Sequence, residues 1–237
     1  MISIVIPVFN EEKNISELLD KIQNNLSSND QIIVVDDCST DNTVDIVKTF
    51  PCELIKHENN IGKGQALING ISKAKGDIIF FIDGDGQDDP SEISKLVEKL
   101  NEGYDFVIGS RFIPDKNQEK KKRYDQNALS PVNFVGNKTL TFLINELFDL
   151  NIYDTQSGFK CFRSDKLRSL KLESKKYEIE TEIVIKSKKQ NLRIAEVPVY
   201  RYERKHGTSS LFDIPFGRFK FMIRVIKVIL YGFVKWR

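Results

Sequence analysis

Cysteine is scarce in this 237-residue chain, which contains only Cys38, Cys52 and Cys161 and no CxxC pair. Three scattered cysteines argue against a disulfide framework and against a zinc site, and they fit a reducing compartment. The sequence also lacks any run of about 18 apolar residues, so it predicts no transmembrane helix. The first residues, MISIVIPVFNEE, have no basic segment ahead of the apolar run, so we expect no signal peptide.

A large excess of either charge is absent as well. Lys and Arg total 36 and Asp and Glu total 34, which leaves a formal net charge of +2. This balance gives no reason to expect a nucleic-acid partner. The hydrophobic content of 40% is ample for a substantial core, so we expect one large domain with at most an appendage.

Apolar segments of strand length alternate with helical patterns through the first half of the chain. The strand candidates are 2–6, 31–35, 52–56, 77–82 and 105–109. Helical patterns stand between them, as at 64–74 and 91–102, and later helical patterns occupy 133–148 and YEIETEIVIKSKKQ, ahead of a late strand in LRIAEVPVY. The alternation predicts βαβ units, and therefore an α/β fold whose mostly parallel central sheet is covered on both faces.

Polar residues follow four of the predicted strands. The segments are PVFNEE, DDCSTD, DGDGQDD and GSRF, after the first, second, fourth and fifth strands. In sheets of this kind, ligands bind beyond the carboxyl ends of the strands. Four polar turns at one edge therefore predict a single site there.

The segment IIFFIDGDGQDDP concentrates four aspartates after one strand, and their mutual repulsion calls for a cation. Asp83 and Asp85 form a D-x-D pair, and alternate side chains of a strand could converge on one ion. Mg²⁺ and Mn²⁺ prefer oxygen ligands, and Mg²⁺ takes few carboxylates beside substrate phosphates. The alternative is a solvated turn whose aspartates cap the 91–102 helix, but the neighbouring polar turns favour a metal and a diphosphate.

Two further motifs have a local alternative. VVDDCSTDNT could cap a helix through Asp37, Ser39 and Asp41, or place a carboxylate against a nucleobase or ribose. NIGKGQALINGI lacks the GxxxxGK[ST] pattern, so we interpret it as a helix start with a nearby lysine.

The order of the motifs resembles that of the family 2 glycosyltransferases, in particular the dolichyl-phosphate mannosyltransferase and polyprenyl-phosphate glycosyltransferase branch. The segments that carry the resemblance are IVIPVFNEEKNI, VVDDCSTDNT, NIGKGQALINGI, FFIDGDGQDDP, VIGSRF and DTQSGFKCFR. The resemblance covers about residues 1–210. It implies a GT-A (Rossmann-like) fold that binds a nucleotide-sugar together with a divalent metal, Mg²⁺ or Mn²⁺.

The resemblance also implies roles by motif position. The nucleoside pocket would be lined by Pro7, Phe9, Glu11, Val35 and Asp37. The diphosphate and metal would be held by Asp83, Gly84, Asp85 and Gln87, with Asp83, Asp85 and Gln87 as metal ligands. Asp85 and Arg111 would be catalytic, with Arg111 facing the acceptor phosphate. Gly86 stands where relatives often carry a leucine, which concerns local packing only.

The acceptor decides what other groups the reaction needs. Transfer from GDP-mannose or a UDP-hexose would be a single displacement, with inversion expected from the family. A polyprenyl or dolichyl phosphate is already anionic, so it needs cations to steer it, Arg111 first and then Arg201 or Arg204. A hydroxyl acceptor on a growing glycan would need a carboxylate base, for which the candidates are Asp154, Glu180 and Glu182.

Two other classes of protein fit the sequence less well than an enzyme of this type. A non-catalytic sugar-nucleotide-binding subunit is disfavoured by the intact DGD. A receiver domain is rejected, because its aspartate pair would follow the first strand, where this chain has no such pair.

The last segment, FGRFKFMIRVIKVILYGFVKWR, is a basic amphipathic helix pattern. One stripe holds Lys220, Arg224, Lys227 and Lys235, and opposite it lie Phe221, Met222, Val225, Ile229 and Trp236. Such a helix can lie in a membrane interface or pack onto the domain or a partner. We expect a GT-A domain over 1–210 and this helix within 211–237, at the cytoplasmic face of a membrane or in the cytoplasm. The segment 113–131 is expected to be a mobile basic loop, and 200–210 a basic loop that is either solvated or closes over phosphate.

Overall fold

The computed structural model describes residues 1–114, 125, 128, 130–207 and 217–235. The strands are β1 (Ile2–Val8), β2 (Gln31–Asp36), β3 (Glu53–Lys56), β4 (Ile78–Phe81), β5 (Phe106–Ser110), β6 (Lys160–Arg163) and β7 (Ile194–Pro198). The helices are α1 (Ile15–Asn25), α2 (Thr43–Val47), α3 (Lys63–Lys73), α4 (Ile93–Asn101), α5 (Pro131–Phe148), α6 (Ser164–Ser169), α7 (Ile179–Lys189) and α8 (Gly217–Val234).

The strands form one sheet in the order β3-β2-β1-β4-β6-β5-β7. All neighbours pair in parallel except β6, which runs antiparallel to both β4 and β5. The expected α/β fold with a mostly parallel sheet is therefore confirmed.

Helices cover both faces of this sheet, which explains why its central strands are apolar on both sides. Along β1, Val5 joins the core layer that contains Leu67 of α3, whereas Ile4 and Ile6 join the layer that contains Leu19 of α1. All three β1 side chains are fully buried.

The antiparallel strand β6 was not predicted, and it matters for the site. Because β6 runs against its neighbours, the residues just before it reach the edge where β1, β4 and β5 end. The segment DTQSGFK, at 154–160, is thus delivered to the carboxyl edge of the sheet.

The geometric argument for the D-x-D pair was wrong, because β4 ends at Phe81 and both aspartates lie in the turn that follows. Strand alternation therefore does not orient them. The turn is anchored instead by Gly84, where an added Cβ would lie 2.6 Å from Val8 Cγ1 of β1.

The C-terminal helix is present as α8. Its inner face, with Val225 and Ile229, is buried in the core, so two residues expected opposite the basic stripe pack onto the domain. Met222 is exposed. Most of the basic loop predicted at 113–131, the end of the 200–210 segment and Trp236 lie outside the described residues. Within the described part of the chain, no helix combines the length and the apolar character needed to cross a membrane.

Candidate active site

Charged side chains from seven parts of the chain meet at the carboxyl edge of the sheet. They come from the ends of β1, β4 and β5, the starts of α3 and α7, the entry to β6 and a segment after β7. We call residues 83–89, which follow β4, the acidic turn. Residues 199–207, which follow β7 and cross over this turn, are called the cover segment.

Asp83 is neutralised by a lysine of the chain. Lys63, the first residue of α3, places its Nζ 2.6 Å from Asp83 Oδ1 and 2.8 Å from Glu180 Oε1. Glu180 in turn pairs with Lys160 of β6, which is completely buried. Burial opposes ionisation of Asp83, but the positive charges of Lys63 and Arg201 outweigh it and hold the pKa of this carboxyl below its usual range.

Arg201 of the cover segment neutralises the rest of the acidic turn. Its Nη1 donates to Asp88 Oδ1 at 2.8 Å, and its Nη2 donates to Gln87 Oε1 at 2.9 Å and lies 3.4 Å from Asp85 Oδ2. Burial raises the pKa of Asp88 to about 6 despite this partner, and the charges of Asp83 and Asp85 add to the rise.

The cover segment is tied to the turn and to β1 by further contacts. The Tyr202 N–H donates to the Gln87 carbonyl at 2.8 Å, and Gln87 Nε2 donates to the Tyr202 carbonyl at 2.9 Å. Arg204 forms an ion pair with Glu11, whose pKa is raised by burial. Of the arginines predicted to meet an acceptor phosphate, Arg201 and Arg204 are therefore each bonded to acidic site residues.

The residues predicted to line the nucleoside pocket differ in their settings. Pro7 and Phe9 are half-buried at the end of β1. Asp37 is buried, and its carboxylate accepts from the Ile61 and Gly62 N–H groups at 2.9 and 2.7 Å. Val35 lies inside the core with no exposed surface, so only its backbone is near the sheet edge.

Arg111 is held by a buried carboxylate. Its Nε and Nη2 donate to Asp154 Oδ2 and Oδ1 at 2.6 and 2.7 Å, and its backbone N–H donates to Oδ2 at 3.2 Å. Asp154 has no exposed surface. Arg111 also influences the ionisation of Asp88, so it lies within electrostatic range of the acidic turn.

Glu182 lies in a different environment from the other two candidate bases. Its carboxylate accepts from the Glu173 and Ser174 N–H groups and pairs with Lys186 at 2.6 Å. These contacts anchor the loop before α7.

The acidic turn offers oxygen ligands suited to a hard divalent cation. Among the described residues, no group of three or more His, Cys, Asp or Glu side chains forms a metal cluster. Mg²⁺ commonly binds without such a cluster, through one or two carboxylates and substrate phosphates. The turn has room for a ligand, because a Cβ on Gly86 would meet no atom within 4 Å. Asp83 and Asp85 therefore fit the group, whereas the Gln87 amide is bonded to Arg201 and Tyr202.

Sequence reasoning missed three charged groups of the site: Lys63, Lys160 and Asp88. From the sequence, Lys63 is only a lysine near a predicted helix start. Lys160 carried a usable signal, because it is a lysine inside the apolar run GFKCF, where burial requires a partner. Asp88 was counted among the acids of the turn, but its partner Arg201 lies far along the chain.

Comparison with known proteins gives the following matches. The family model described as Glycosyl transferase family 2 matches residues 3–171. A UDP-N-acetylglucosamine–dolichyl-phosphate N-acetylglucosaminyltransferase of Methanococcus voltae is 33% identical, over 97% of this chain and 98% of the relative. A dolichol-phosphate mannosyltransferase of Pyrococcus furiosus is 32% identical, over 89% of this chain and 59% of the relative.

Among solved structures, the fold is similar to that of glucosyl-3-phosphoglycerate synthase from Mycobacterium tuberculosis. In its complex with Mn²⁺, UDP and glucosyl-3-phosphoglycerate, the TM-score is 0.71 at 25% identity, over 98% of this chain and 79% of that chain.

Proposed function

The chain belongs to glycosyl transferase family 2, and from that premise we propose that it transfers a hexose from a UDP- or GDP-sugar to a polyprenyl or dolichyl phosphate at a membrane surface. One observation carries the proposal. The acidic D-x-D turn, suited to a metal and a diphosphate, lies within electrostatic range of an arginine that a buried carboxylate holds in a fixed orientation. The turn suits the diphosphate of the donor, and the arginine suits an anionic acceptor.

The relatives support a lipid-phosphate acceptor. The Methanococcus voltae protein matches over nearly its whole length and is named for transfer to dolichyl phosphate. The Pyrococcus furiosus protein is named a dolichol-phosphate mannosyltransferase, and the match covers 59% of its length.

The donor side rests on Asp83 and Asp85. A bound Mg²⁺ or Mn²⁺ would stabilise the charge that develops on the departing nucleoside diphosphate. Lys63 pairs with Asp83 and Arg201 with Asp85, and these contacts hold the two carboxylates in place. We assign the nucleoside to the cleft beside Pro7, Phe9, Glu11 and Asp37.

On the acceptor side, an oxygen of the lipid phosphate attacks the anomeric carbon as the bond from that carbon to the diphosphate breaks. The phosphate oxygen is already anionic near neutral pH, so no proton needs to be removed. Arg111 orients the phosphate by its guanidinium. Single displacement inverts the configuration at the anomeric carbon.

The surroundings of the candidate bases favour this acceptor over a hydroxyl. A hydroxyl acceptor requires a carboxylate that is available to take a proton. Asp154 is bonded in bidentate fashion to Arg111, Glu180 lies between Lys63 and Lys160, and Glu182 serves its own loop. A carboxylate whose oxygens already bind cations or backbone N–H groups is poorly placed to accept a proton from a hydroxyl acceptor.

A membrane surface would bring the lipid acceptor to the site. On α8, the exposed apolar side chains are Phe219, Met222, Ile223, Ile226, Leu230, Phe233 and Val234, and on α5 they are Val132, Val135, Phe142, Leu143 and Leu147. We call these two sets the outer apolar face. Phe219 and Leu230 are 62% and 60% exposed, and the basic residues Lys220 and Lys227 flank them on α8.

An exposed apolar stripe beside basic residues suits the interface of an anionic bilayer. We therefore propose that the domain of residues 1–210 is held peripherally, at the cytoplasmic face, with the helix within 211–237 in the interface. The two partners are the nucleotide-sugar and the lipid phosphate, and no nucleic acid is involved.

The test is direct. Purified protein is incubated with Mn²⁺ or Mg²⁺, a panel of UDP- and GDP-sugars and a short polyprenyl phosphate, and glycosylated lipid is sought by mass spectrometry. The proposal expects one donor to give a lipid-phosphate product that disappears with EDTA. Donor binding without such a product, across the panel, would contradict it.

A further inference from the structure

Glu196 on β7 is a half-buried carboxylate that the reaction described above does not use. In the sheet it stands beside Ile108 of β5. Its Oε2 accepts from the Tyr153 N–H at 2.7 Å, and its Oε1 accepts from the Asp154 N–H at 3.0 Å. Two consecutive backbone N–H groups are thus held by one carboxylate, which fixes this part of the loop to the sheet.

The loop held by Glu196 carries the residue that holds Arg111. Asp154 binds both Nε and Nη2 of the guanidinium and also the Arg111 backbone N–H. The Arg111 guanidinium carbon lies 5.1 Å from the centre of the Phe112 ring, which limits its rotation further. Within the part of the chain that the structure describes, Nη1 has no partner, so one edge of the guanidinium remains for a ligand.

We propose that Glu196 is a positioning residue for the acceptor step: through the 153–154 backbone and Asp154, it sets the direction in which Arg111 presents its guanidinium to the acceptor phosphate. The inference rests on the proposed function, in which Arg111 meets that phosphate. It assigns Glu196 no contact with either substrate.

The ionisation of Glu196 supplies a readout that a purely structural residue would not give. Burial raises the pKa of Glu196 to about 7, and the negative charge of Asp154 adds to the rise. Hydrogen bonds from Ser110 and from the two backbone N–H groups oppose it. On α5, the Lys138 ammonium acts on both carboxylates. Protonation turns one acceptor oxygen into a donor, so it weakens the hold on the 153–154 backbone.

The test compares Glu196→Ala and Glu196→Gln with Glu98→Gln, a matched control at an exposed position of α4. Kinetics with each substrate varied in turn give separate KM values for the lipid phosphate and the nucleotide-sugar. We expect Glu196→Ala to raise the KM for the lipid phosphate by about tenfold or more, because misplacing an orienting group is costly. The KM for the nucleotide-sugar should stay within about twofold of wild type.

The pH profile adds a second readout. In wild type, the KM for the lipid phosphate should rise as the pH falls through about 7, and this rise should be smaller in Glu196→Gln, where only protonation of the phosphate itself, at about pH 6, remains. An unchanged acceptor KM in a folded Glu196→Ala would overturn the inference. If that variant fails to fold, a Glu196→Gln enzyme that keeps the wild-type pH profile would overturn it.

Failure of the inference is distinguishable from failure of the proposed function. A wild-type enzyme that makes no glycolipid with any donor contradicts the proposed function, and the inference falls with it. A wild-type enzyme that makes glycolipid beside unaffected Glu196 variants overturns the inference alone.

Discussion

Lys63 lies between two carboxylates, with its Nζ 2.6 Å from Asp83 Oδ1 and 2.8 Å from Glu180 Oε1. This contact explains in part how four mutually repelling aspartates can lie in one turn. The chain supplies cations of its own, Lys63 from α3 and Arg201 from the cover segment, and these hold the acidic turn together. Removing either one should therefore affect stability as well as activity.

Replacing Lys63 by methionine should destabilise the fold. It leaves Asp83 and Glu180 without their shared cation, and breaking a buried ion pair costs about 3–5 kcal/mol, less here because Asp83 is partly accessible. Urea unfolding measures the loss. Lys95→Met, which breaks an exposed pair with Glu92, is the control and should cost under about 1 kcal/mol. Equal stability of the two variants would count against the charge balance described here.

Replacing Asp83 or Asp85 by asparagine should abolish transfer while leaving the protein folded. Loss of a ligand that stabilises the leaving diphosphate is worth several kcal/mol, which corresponds to a fall in kcat of about a thousandfold. Asp89→Asn is a control in the same turn, because asparagine can still accept the Ser91 N–H that Asp89 accepts. A metal-independent Asp83→Asn enzyme with wild-type activity would remove the site assignment.

The free energy of unfolding should depend on Glu196 between about pH 4.5 and pH 7. Burial raises the pKa of Glu196 from 4.5 to about 7 in the folded protein. The folded state therefore binds the proton more tightly, so this contribution to stability is present at low pH and is lost as the pH rises through about 7. Glu196→Gln should remove the trend, an effect of about 2 kcal/mol after allowance for partial exposure. If the unfolding free energies of wild type and Glu196→Gln depend on pH in the same way, Glu196 is not the group responsible for the trend.

His57 should matter for the donor side. Its Nδ1 lies 2.7 Å from Asp37 Oδ1, and its Nε2 lies 2.8 Å from Asn69 Nδ2. His57→Ala removes one hydrogen bond from Asp37, which keeps those from the Ile61 and Gly62 N–H groups, and one from the half-buried Asn69, at a cost of about 1–3 kcal/mol. It should also raise the KM for the nucleotide-sugar by loosening the hold on Asp37.

His206→Ala is the control for that variant, because the His206 side chain is exposed. Its unfolding free energy should match that of wild type. A His57→Ala enzyme with unchanged donor KM would separate Asp37 from nucleotide binding.

The outer apolar face should bind lipid bilayers. Leu230→Glu and Phe233→Glu each put a charge into the apolar stripe, and they should weaken sedimentation with anionic vesicles by about tenfold or more. Lys220→Gln should have a smaller effect that disappears at high salt, because its contribution is electrostatic. Vesicle binding that is unchanged by both glutamates would place the membrane contact elsewhere.

Much of the sheet could be predicted because its strands and helices repeat short local patterns. The segment 31–35 became β2 at Gln31–Asp36, and 64–74 became α3 at Lys63–Lys73. The strand β6 was not predicted, because it has only four residues, begins with a lysine and depends on antiparallel pairing with strands distant in the sequence. No local pattern encodes such a partner.

The site was predictable to the extent that it sits at strand ends. The turn with Asp83 and Asp85 and the GSRF segment with Arg111 were found in this way. The partners of these residues were not found, because the Lys63–Glu180 and Arg111–Asp154 pairs are made by tertiary packing. From the sequence, Asp154 is a candidate base. Only the folded structure shows that Arg111 donates hydrogen bonds to both of its carboxylate oxygens.

The central claim is that the acceptor is an anionic lipid phosphate, which requires no general base. The most direct measurement compares a polyprenyl phosphate with the polyprenol of the same chain length, under identical donor and metal conditions. We expect sugar transfer to the phosphate alone, with the rate lowered by Arg111→Ala. Transfer to the polyprenol at a comparable rate, insensitive to Arg111→Ala, would contradict it.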